Sequence, residues 1–494
     1  MRDGVAFGRA ASAPKIGVMP GLAPLAALIL IGMGLSGCIL GSERPATNLE
    51  VPASYREAPR APGSAVPALD WWRGFRSTEL TRLIETAQAA NLDIAVAVAQ
   101  ILQADAQAGI AGAPLLPTLT GSGTAERLRS ATSSSSSSSA GSRSTSQFNA
   151  GLTASYMIDF WGKNRATLYA AEESATAARY NRDVVALTAT ATVANTYFEL
   201  LTAQDRLRIA RRNAASAERI LVLIKQQFTA GTASQLEVSQ QETLVATQRA
   251  SIPPLEITLR QNSATLALLV ARAPAKFTVT GGSLASLAVP RVTPGIPSEL
   301  LRQRPDIMQA EAQLAGSNFS VESARAAFFP QIQLTADTGF QSKALSSLFG
   351  PGAWYYTLAA SLTQPILDGN LLKSQLEQAQ GVQLENLQAY RKAVLSAFTD
   401  VEKALVALQQ TSLQERLQSE VVASSRRAFE VAETQLRGGT VNLVSVLQVQ
   451  QTFFTAEDNL AQVRLTRFQA AASLFQALGG GWTRTPRPAE PRRF

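Results

Sequence analysis

The chain has no histidine and a single cysteine among its 494 residues. These two absences remove the imidazole that usually moves protons near neutral pH, any thiolate metal site and any structural disulfide. No glycine-rich phosphate loop is present, and no pair of carboxylates forms a convincing site. The chain therefore reads as a non-enzyme without cofactor or metal. After the first forty residues no run of eighteen uninterrupted apolar positions occurs, so no transmembrane helix is expected in the mature protein. The formal charge of +8 is scattered, or gathered in the Pro-rich stretch Arg484 to Arg493, and is not clustered with aromatics. This argues against nucleic acid as a partner, and residues 481–494 read as a disordered basic tail.

Glycine and proline are also missing where a compact domain would need them. From Lys163 to Ala230 there is neither, and from Asn370 to Arg437 only Gly381 interrupts. At about 1.5 Å per residue each stretch would make a helix roughly 100 Å long. The two stretches belong to a duplication. A shift of 213 places Asp93, Ile94, Ala97, Ala99, Gln100, Ala111, Ala113 and Pro117 on Asp306, Ile307, Ala310, Ala312, Gln313, Ala324, Ala326 and Pro330. A shift of 208 then places Gly231, Thr232, Val238, Gln240 and Leu266 on Gly439, Thr440, Val446, Gln448 and Leu474. Order, spacing and turn residues recur together, which predicts two equivalent halves, 78–285 and 286–480.

Each half contains a hairpin, over 117–160 and 330–367. Phe148, Ala150, Leu152, Ala154, Tyr156, Ile158 and Phe160 alternate with polar or small residues, and Trp354, Tyr356, Leu358, Ala360 and Leu362 do the same. Period two over this length predicts strands. Aromatics at the ends and a length of about 9 to 11 residues suit transmembrane strands, with the polar face toward water. The connections, Thr132 to Gln147 with its serine run and Gln341 to Gly352, suit extracellular loops. Four strands cannot close a barrel, and an open edge in hydrocarbon would leave backbone groups unpaired, so the chain must oligomerise.

The remaining segments read as helices. Shorter ones are expected over Thr78 to Ala111 and Asp306 to Phe328. The long ones reverse at Gly231-Thr232 and Gly439-Thr440, where glycine supplies the left-handed residue, and return over Ser234 to Ala271 and Leu443 to Leu478. Pro253-Pro254 is expected to kink the first return helix.

The N-terminus explains the lone cysteine. Arg2, Arg9 and Lys15 precede the apolar stretch Leu22 to Leu35, which runs through Ser36-Gly37 into Cys38. This is a secretory signal over 1–37. The junction resembles the bacterial lipobox, which implies cleavage before Cys38 and a diacylglycerol and N-acyl (palmitate-class) chain on it, with 38–77 as the lipidated N-terminal segment. Each buried methylene would contribute about 0.8 kcal/mol to the anchor. Ile39, rather than Asp, points by the enteric sorting rule to the outer membrane.

Ile296-Pro297-Ser298-Glu299-Leu300-Leu301, followed by Arg304-Pro305-Asp306-Ile307 and Ala310-Glu311, resembles the TolC-like outer membrane factors, specifically the NodT-type lipoproteins of RND efflux systems. Asp159-Phe160-Trp161-Gly162-Lys163, Tyr197-Phe198-Glu199-Leu200-Leu201 and Gly439-Thr440 fit the same family, over nearly the whole mature chain. The resemblance implies an α+β membrane protein. Its homotrimer would carry a twelve-stranded transmembrane β-barrel, four strands from each chain, continued by a long α-helical barrel across the periplasm. It would be a passive exit duct in contact with outer-membrane lipid, served by a periplasmic adaptor and an inner-membrane RND transporter. The conduit of a type I-like peptide or protein secretion system is the alternative, and a purely structural envelope lipoprotein the third reading.

Such channels constrict at the periplasmic tip, often with carboxylates. The matching positions here, Ser445 and Gln448, are neutral. The aperture candidates are Glu237, Val441, Leu443, Val444, Ser445, Leu447 and Gln448. Packing of Leu443, Val444 and Leu447 is expected to hold the ring, and Glu237, one shift before Ser445, either adds charge there or is a solvated surface residue. Gly231, Thr232, Gly439 and Thr440 are candidates for adaptor docking.

Overall fold

The computed structural model describes residues 46–482 apart from 48, 53, 57–67, 130–143, 293–294 and 296. The signal sequence, Cys38, the serine run and the tail from 483 onward lie outside the described residues. Helices α1 (Thr78–Ala90) and α2 (Leu92–Gly112) lead into β1 (Thr118–Arg129) and β2 (Ser144–Ile158), then α3 (Lys163–Thr229), α4 (Gln235–Ala250) and α5 (Ile252–Leu269). The second half repeats the order with α6 (Pro297–Gln303), α7 (Pro305–Ala326), β3 (Gln331–Ser342), β4 (Trp354–Thr363), α8 (Leu371–Arg437) and α9 (Leu443–Ala477).

Two expected helices are each divided. Asn91 splits the first leading helix, because its side chain accepts from the Asp93 and Ile94 amides at 2.9 and 3.2 Å and so starts α2 afresh. The first return helix breaks at Ser251, where Pro253 and Pro254 fall in the opening turn of α5, the position at which a missing N–H costs nothing. The long helices are continuous at 67 residues each, and Gly381 does not interrupt α8.

Both long helices begin by the same device. Asp159 accepts from the amides of Asn164 and Arg165, each at 2.9 Å. Asp368 accepts from Asn370 and Leu372 at 3.0 and 2.9 Å. A carboxylate on the first turn satisfies orphan amides and lies at the positive end of the helix dipole.

Two helical stretches, Thr78–Leu115 and Lys163–Thr229, are long and apolar enough by composition to span a membrane, where none was expected. In the second, 56% of the qualifying window is buried, so its apolar residues serve the core, whereas the figure is 11% in the first.

The cores are strung along the helices. One gathers Trp71, Trp72 and Phe75 with Leu80, Ile84, Phe198, Leu266, Phe468 and Phe475. Trp71 stacks on Phe475 at 5.1 Å, and Phe75 lies 5.0 Å from Phe198. The three aromatics of 71–75 fall in the segment read as a lipidated lead-in, yet they are buried structure. A second cluster joins Tyr55, Leu300, Ile307, Val394, Val401 and Leu474, and a third, toward the helix reversals, joins Ile220, Val238, Phe429, Leu443, Val446 and Phe453. The start of the expected disordered tail is fixed as well. Trp482 donates from Nε1 to Asp183 at 2.8 Å and meets Tyr180 edge-on.

Candidate channel surfaces

The four strands form one antiparallel sheet in the order β1-β2-β3-β4. Their pairing sorts the side chains by row. Leu119, Ala154, Ala336 and Leu358 stand in line across the sheet, and the next row is Thr120, Thr153, Asp337 and Thr357. Because side chains alternate between faces, one face is apolar across all four strands and the other is polar. The apolar face has no cover among the described residues, with Leu119 at 69% and Leu358 at 74% exposure. The polar face is knit together: Thr153 donates to Asp337 at 2.6 Å and Gln333 to Ser155 at 2.9 Å. Gly151 and Gly339 are paired at its centre, and a Cβ on Gly339 would stand 2.6 Å from the Ala150 oxygen. The bare backbone there lets Tyr355 reach from β4 to Asn149 on β2, at 3.3 Å.

At the far end of the helices the reversals repeat one another atom for atom. Gly231 and Gly439 have φ of +76° and +70°. The amides of Thr232 and Thr440 close on the carbonyls of Gln227 and Gln435 at 2.9 and 3.0 Å, the helix-terminating arrangement that a left-handed glycine permits. Gly231, Thr232, Gly439 and Thr440 all lie exposed.

The aperture candidates separate. Val444 is 58% exposed, Gln448 is exposed, and Val441, Ser445 and Leu447 are half-buried. Leu443 corrects the expectation. At 1% exposure it is packed inside the chain's own tip core, so it cannot join a ring between copies. Glu237 is committed locally: its carboxylate accepts from the Ser234 amide and hydroxyl at 2.6 and 3.0 Å, closing a capping box on α4. Ser445 holds the equivalent third position of α9, where Asn442 accepts from both its amide and hydroxyl. The two residues matched by the 208 shift are thus both part of a helix start.

Sequence spacing did not reveal the ion pairs that tie α3, α8 and α9. Glu457, with 5% of its side chain exposed, accepts from Arg212 and Arg426 at 2.8 and 3.0 Å. Arg206 grips Asp458 through two nitrogens at 2.6 and 3.0 Å. No fixed interval in sequence links such partners, so only the fold brings them together. Arg304 of the Arg-Pro-Asp stretch is similar. It binds Asp306 at 3.0 and 2.7 Å, Asp400 at 3.2 Å and the Ala477 carbonyl at 3.1 Å, fastening α7 to α8 and α9. Asp306, in the first turn of α7, is thus also the partner of this arginine.

Glu415 of α8 receives Arg464 at 2.9 Å and Arg467 at 2.7 Å from α9. Burial by itself would raise its pKa, but the hydrogen bonds and charges of Arg467 and Arg464 outweigh that and hold the carboxyl below its usual range. A carboxyl depressed on folding stabilises above its unfolded pKa, and that contribution is lost as pH falls through the folded value. Glu415→Gln is accordingly expected to lower the melting temperature at neutral pH, with the gap from the unsubstituted protein closing only in acid below the ordinary carboxylate range. A gap unchanged across a pH series of thermal melts would show that the ion pair is not its source.

Comparison with known proteins agrees with this arrangement. The family model described as outer membrane efflux protein matches residues 83–272 and 296–480, one segment in each half. The pyoverdine export outer membrane protein OpmQ of Pseudomonas putida is 38% identical over 92% of this chain and 97% of its own. The probable outer membrane lipoprotein SilC of Salmonella typhimurium is 29% identical over 91% and 96%. The open-state structure of the Neisseria gonorrhoeae MtrE outer membrane channel superposes with a TM-score of 0.78 at 29% identity, covering 89% of this chain and 97% of that one. The chain belongs to the outer membrane efflux protein family, with the TolC-like fold of a helical barrel and a membrane sheet and the part of an efflux exit duct in the outer membrane.

Proposed function

We propose that three copies of the chain assemble so that β1 of each pairs with β4 of the next, closing a twelve-stranded barrel. The observation that carries this reading is the sheet itself: four strands, apolar on one face, with neither edge paired among the described residues. In hydrocarbon each unpaired edge group would cost several kcal/mol. Three equal copies give an even strand number at or above the minimum of eight. The helices make the same demand. α2 leaves Leu92, Val96, Leu102 and Ile110 exposed, and α8 leaves Leu371, Leu384 and Leu395, apolar surface that neighbouring copies would cover.

In this assembly a periplasmic adaptor docks at the exposed reversals Gly231-Thr232 and Gly439-Thr440, and an inner-membrane RND transporter supplies small-molecule cargo and energy. The duct itself is passive. Cys38 carries the acyl anchor, a reading supported by the lipoprotein name of the SilC relative. Pyoverdine, for which the OpmQ relative is named, is the first cargo to test. The deciding experiment is the mass of the detergent-extracted particle together with the N-terminal peptide. A trimer acylated on Cys38 supports the duct; a monomer without lipid breaks the barrel argument.

At the aperture the exposed groups Val444 and Gln448 are uncharged, and the carboxylate of Glu237 is held by its own helix start. Closure then rests on helix packing and on a shift between closed and open populations when the adaptor docks. Closed-state conductance in planar bilayers is expected to be insensitive to divalent cations at constant ionic strength. Block by millimolar divalent cations would place an acidic ring at the tip and overturn this account.

A further inference from the structure

The apolar face of β1 changes character near its end. Leu119, Gly121, Gly123 and Ala125 occupy that face, but the next two positions of the same parity are Arg127 and Arg129. Leu128 and Glu126 take the opposite face. This is the end remote from the helices, since β1 enters from α2 and leaves toward the 130–143 connection. In the closed barrel the apolar side faces lipid, and an arginine there is costly at depth and tolerated only near the interface. The strand therefore leaves the hydrocarbon between Ala125 and Arg127.

The aromatics agree with that level. Phe148 is the partner of Ala125, and Phe340 is paired with Trp354 on the same face. Phe349 from the following turn lies edge-on to Phe340 at 5.2 Å, making a girdle of the kind that marks the membrane interface. Beyond it, the outward positions opposite the two arginines on β2 are Ser146 and Ser144. The face above the girdle thus presents two guanidinium groups and two hydroxyls.

Two same-face residues of a strand stand about 7 Å apart. A guanidinium offers parallel N–H donors that match a phosphate's oxygens, and it stays charged at every physiological pH. We propose that Arg127 and Arg129 bind the phosphate groups of the anionic glycolipid that forms the outer leaflet, so that each copy seats lipid at a fixed height on the barrel. The proposal rests on the closed-barrel reading, which is what makes this face the lipid-facing one. Charge complementarity selects the occupant: phosphates of outer-leaflet lipid are the anions presented at this level, on this side.

The test is native mass spectrometry of the full-length, detergent-extracted protein, delipidated and then exposed in turn to bis-phosphorylated lipid A, dephosphorylated lipid A and phosphatidylglycerol. The unsubstituted trimer should retain bis-phosphorylated lipid A in preference to the other two. Arg127→Gln with Arg129→Gln should reduce that retention about tenfold or more, as loss of charge-assisted hydrogen bonds implies, with the trimer mass unchanged. Glu126→Gln, on the water face, should leave retention as it was. Equal retention by the double variant, or of the dephosphorylated lipid, overturns the site. Equal retention of phosphatidylglycerol overturns the glycolipid as its occupant. A monomeric unsubstituted protein would overturn the barrel reading, and this site with it.

Discussion

Replacing Leu358 by arginine is expected to prevent the barrel from entering the membrane, while the same replacement at the adjacent Thr357 leaves it intact. The two residues differ in face and in little else. Leu358 is near the middle of β4, in the apolar row with Leu119, Ala154 and Ala336, and is 74% exposed. Thr357 is in the polar row, directly paired with Asp337. An arginine on the lipid side at mid-depth costs about 2–4 kcal/mol. Symmetry places that cost in every copy, so in a trimer the sum is comparable with the roughly 5–15 kcal/mol that holds a typical domain folded. An arginine at position 357 would meet water and the Asp337 carboxylate. The measurement is the fraction of chain recovered from outer-membrane vesicles as a trimer on gels run without boiling. Equal loss from both variants would show that the face assignment is wrong.

The same parity makes the strands legible in the sequence. Alternation in Phe148 to Ile158 and Trp354 to Leu362 marks both the strand and its apolar side, because a one-residue slip would turn every side chain over. The duplication is legible because glycine and threonine at the reversals answer a steric need that admits few alternatives, and Gly231 and Gly439 do have positive φ. The aperture is less so. Leu443 and Val444 are neighbours in sequence and equally apolar, yet one is buried in the tip core and the other is exposed. Only the rotation of α9 against α8 distinguishes them, and that rotation is set by Phe429, Phe453 and Val446, far from the pair in sequence or facing another way. Glu237 reads in the sequence either as charge at the tip or as a solvated surface residue, and composition alone does not rank the two; in the fold its carboxylate reaches back to Ser234. Trp71, Trp72 and Phe75 escape a reading by pattern because a lead-in to a helix has no periodicity to reveal that it is core.

Those aromatics set the second large effect. Phe198 is fully buried, 5.0 Å from Phe75 and 5.2 Å from Phe468 by ring centroids. It is the point at which α3 of the first half, α9 of the second and the 71–75 turn meet. Truncating it to alanine removes the ring and leaves a void that long helices, fixed at both ends, cannot close; such changes cost about 3–5 kcal/mol. The helices also continue beyond this point into the tip core of Ile220, Phe429 and Phe453. From Phe198 to the end of α3 the rise is roughly 45 Å, too far for the void to loosen that cluster directly. Hydrogen exchange on the trimer should therefore show a local change. Amides of α1 and of α9 near Phe468 are expected to exchange at least about a hundredfold faster in Phe198→Ala, as a loss of about 3 kcal/mol implies. Amides around Phe429 and Phe453 should keep their protection, and Phe198→Leu should recover much of the difference. If protection fell equally from end to end, the clusters would be one cooperative unit, and the tip could not open without loosening the core around Phe198. If it falls only locally, the two are separable, and the tip can change its packing while the barrel and its supporting core stay closed.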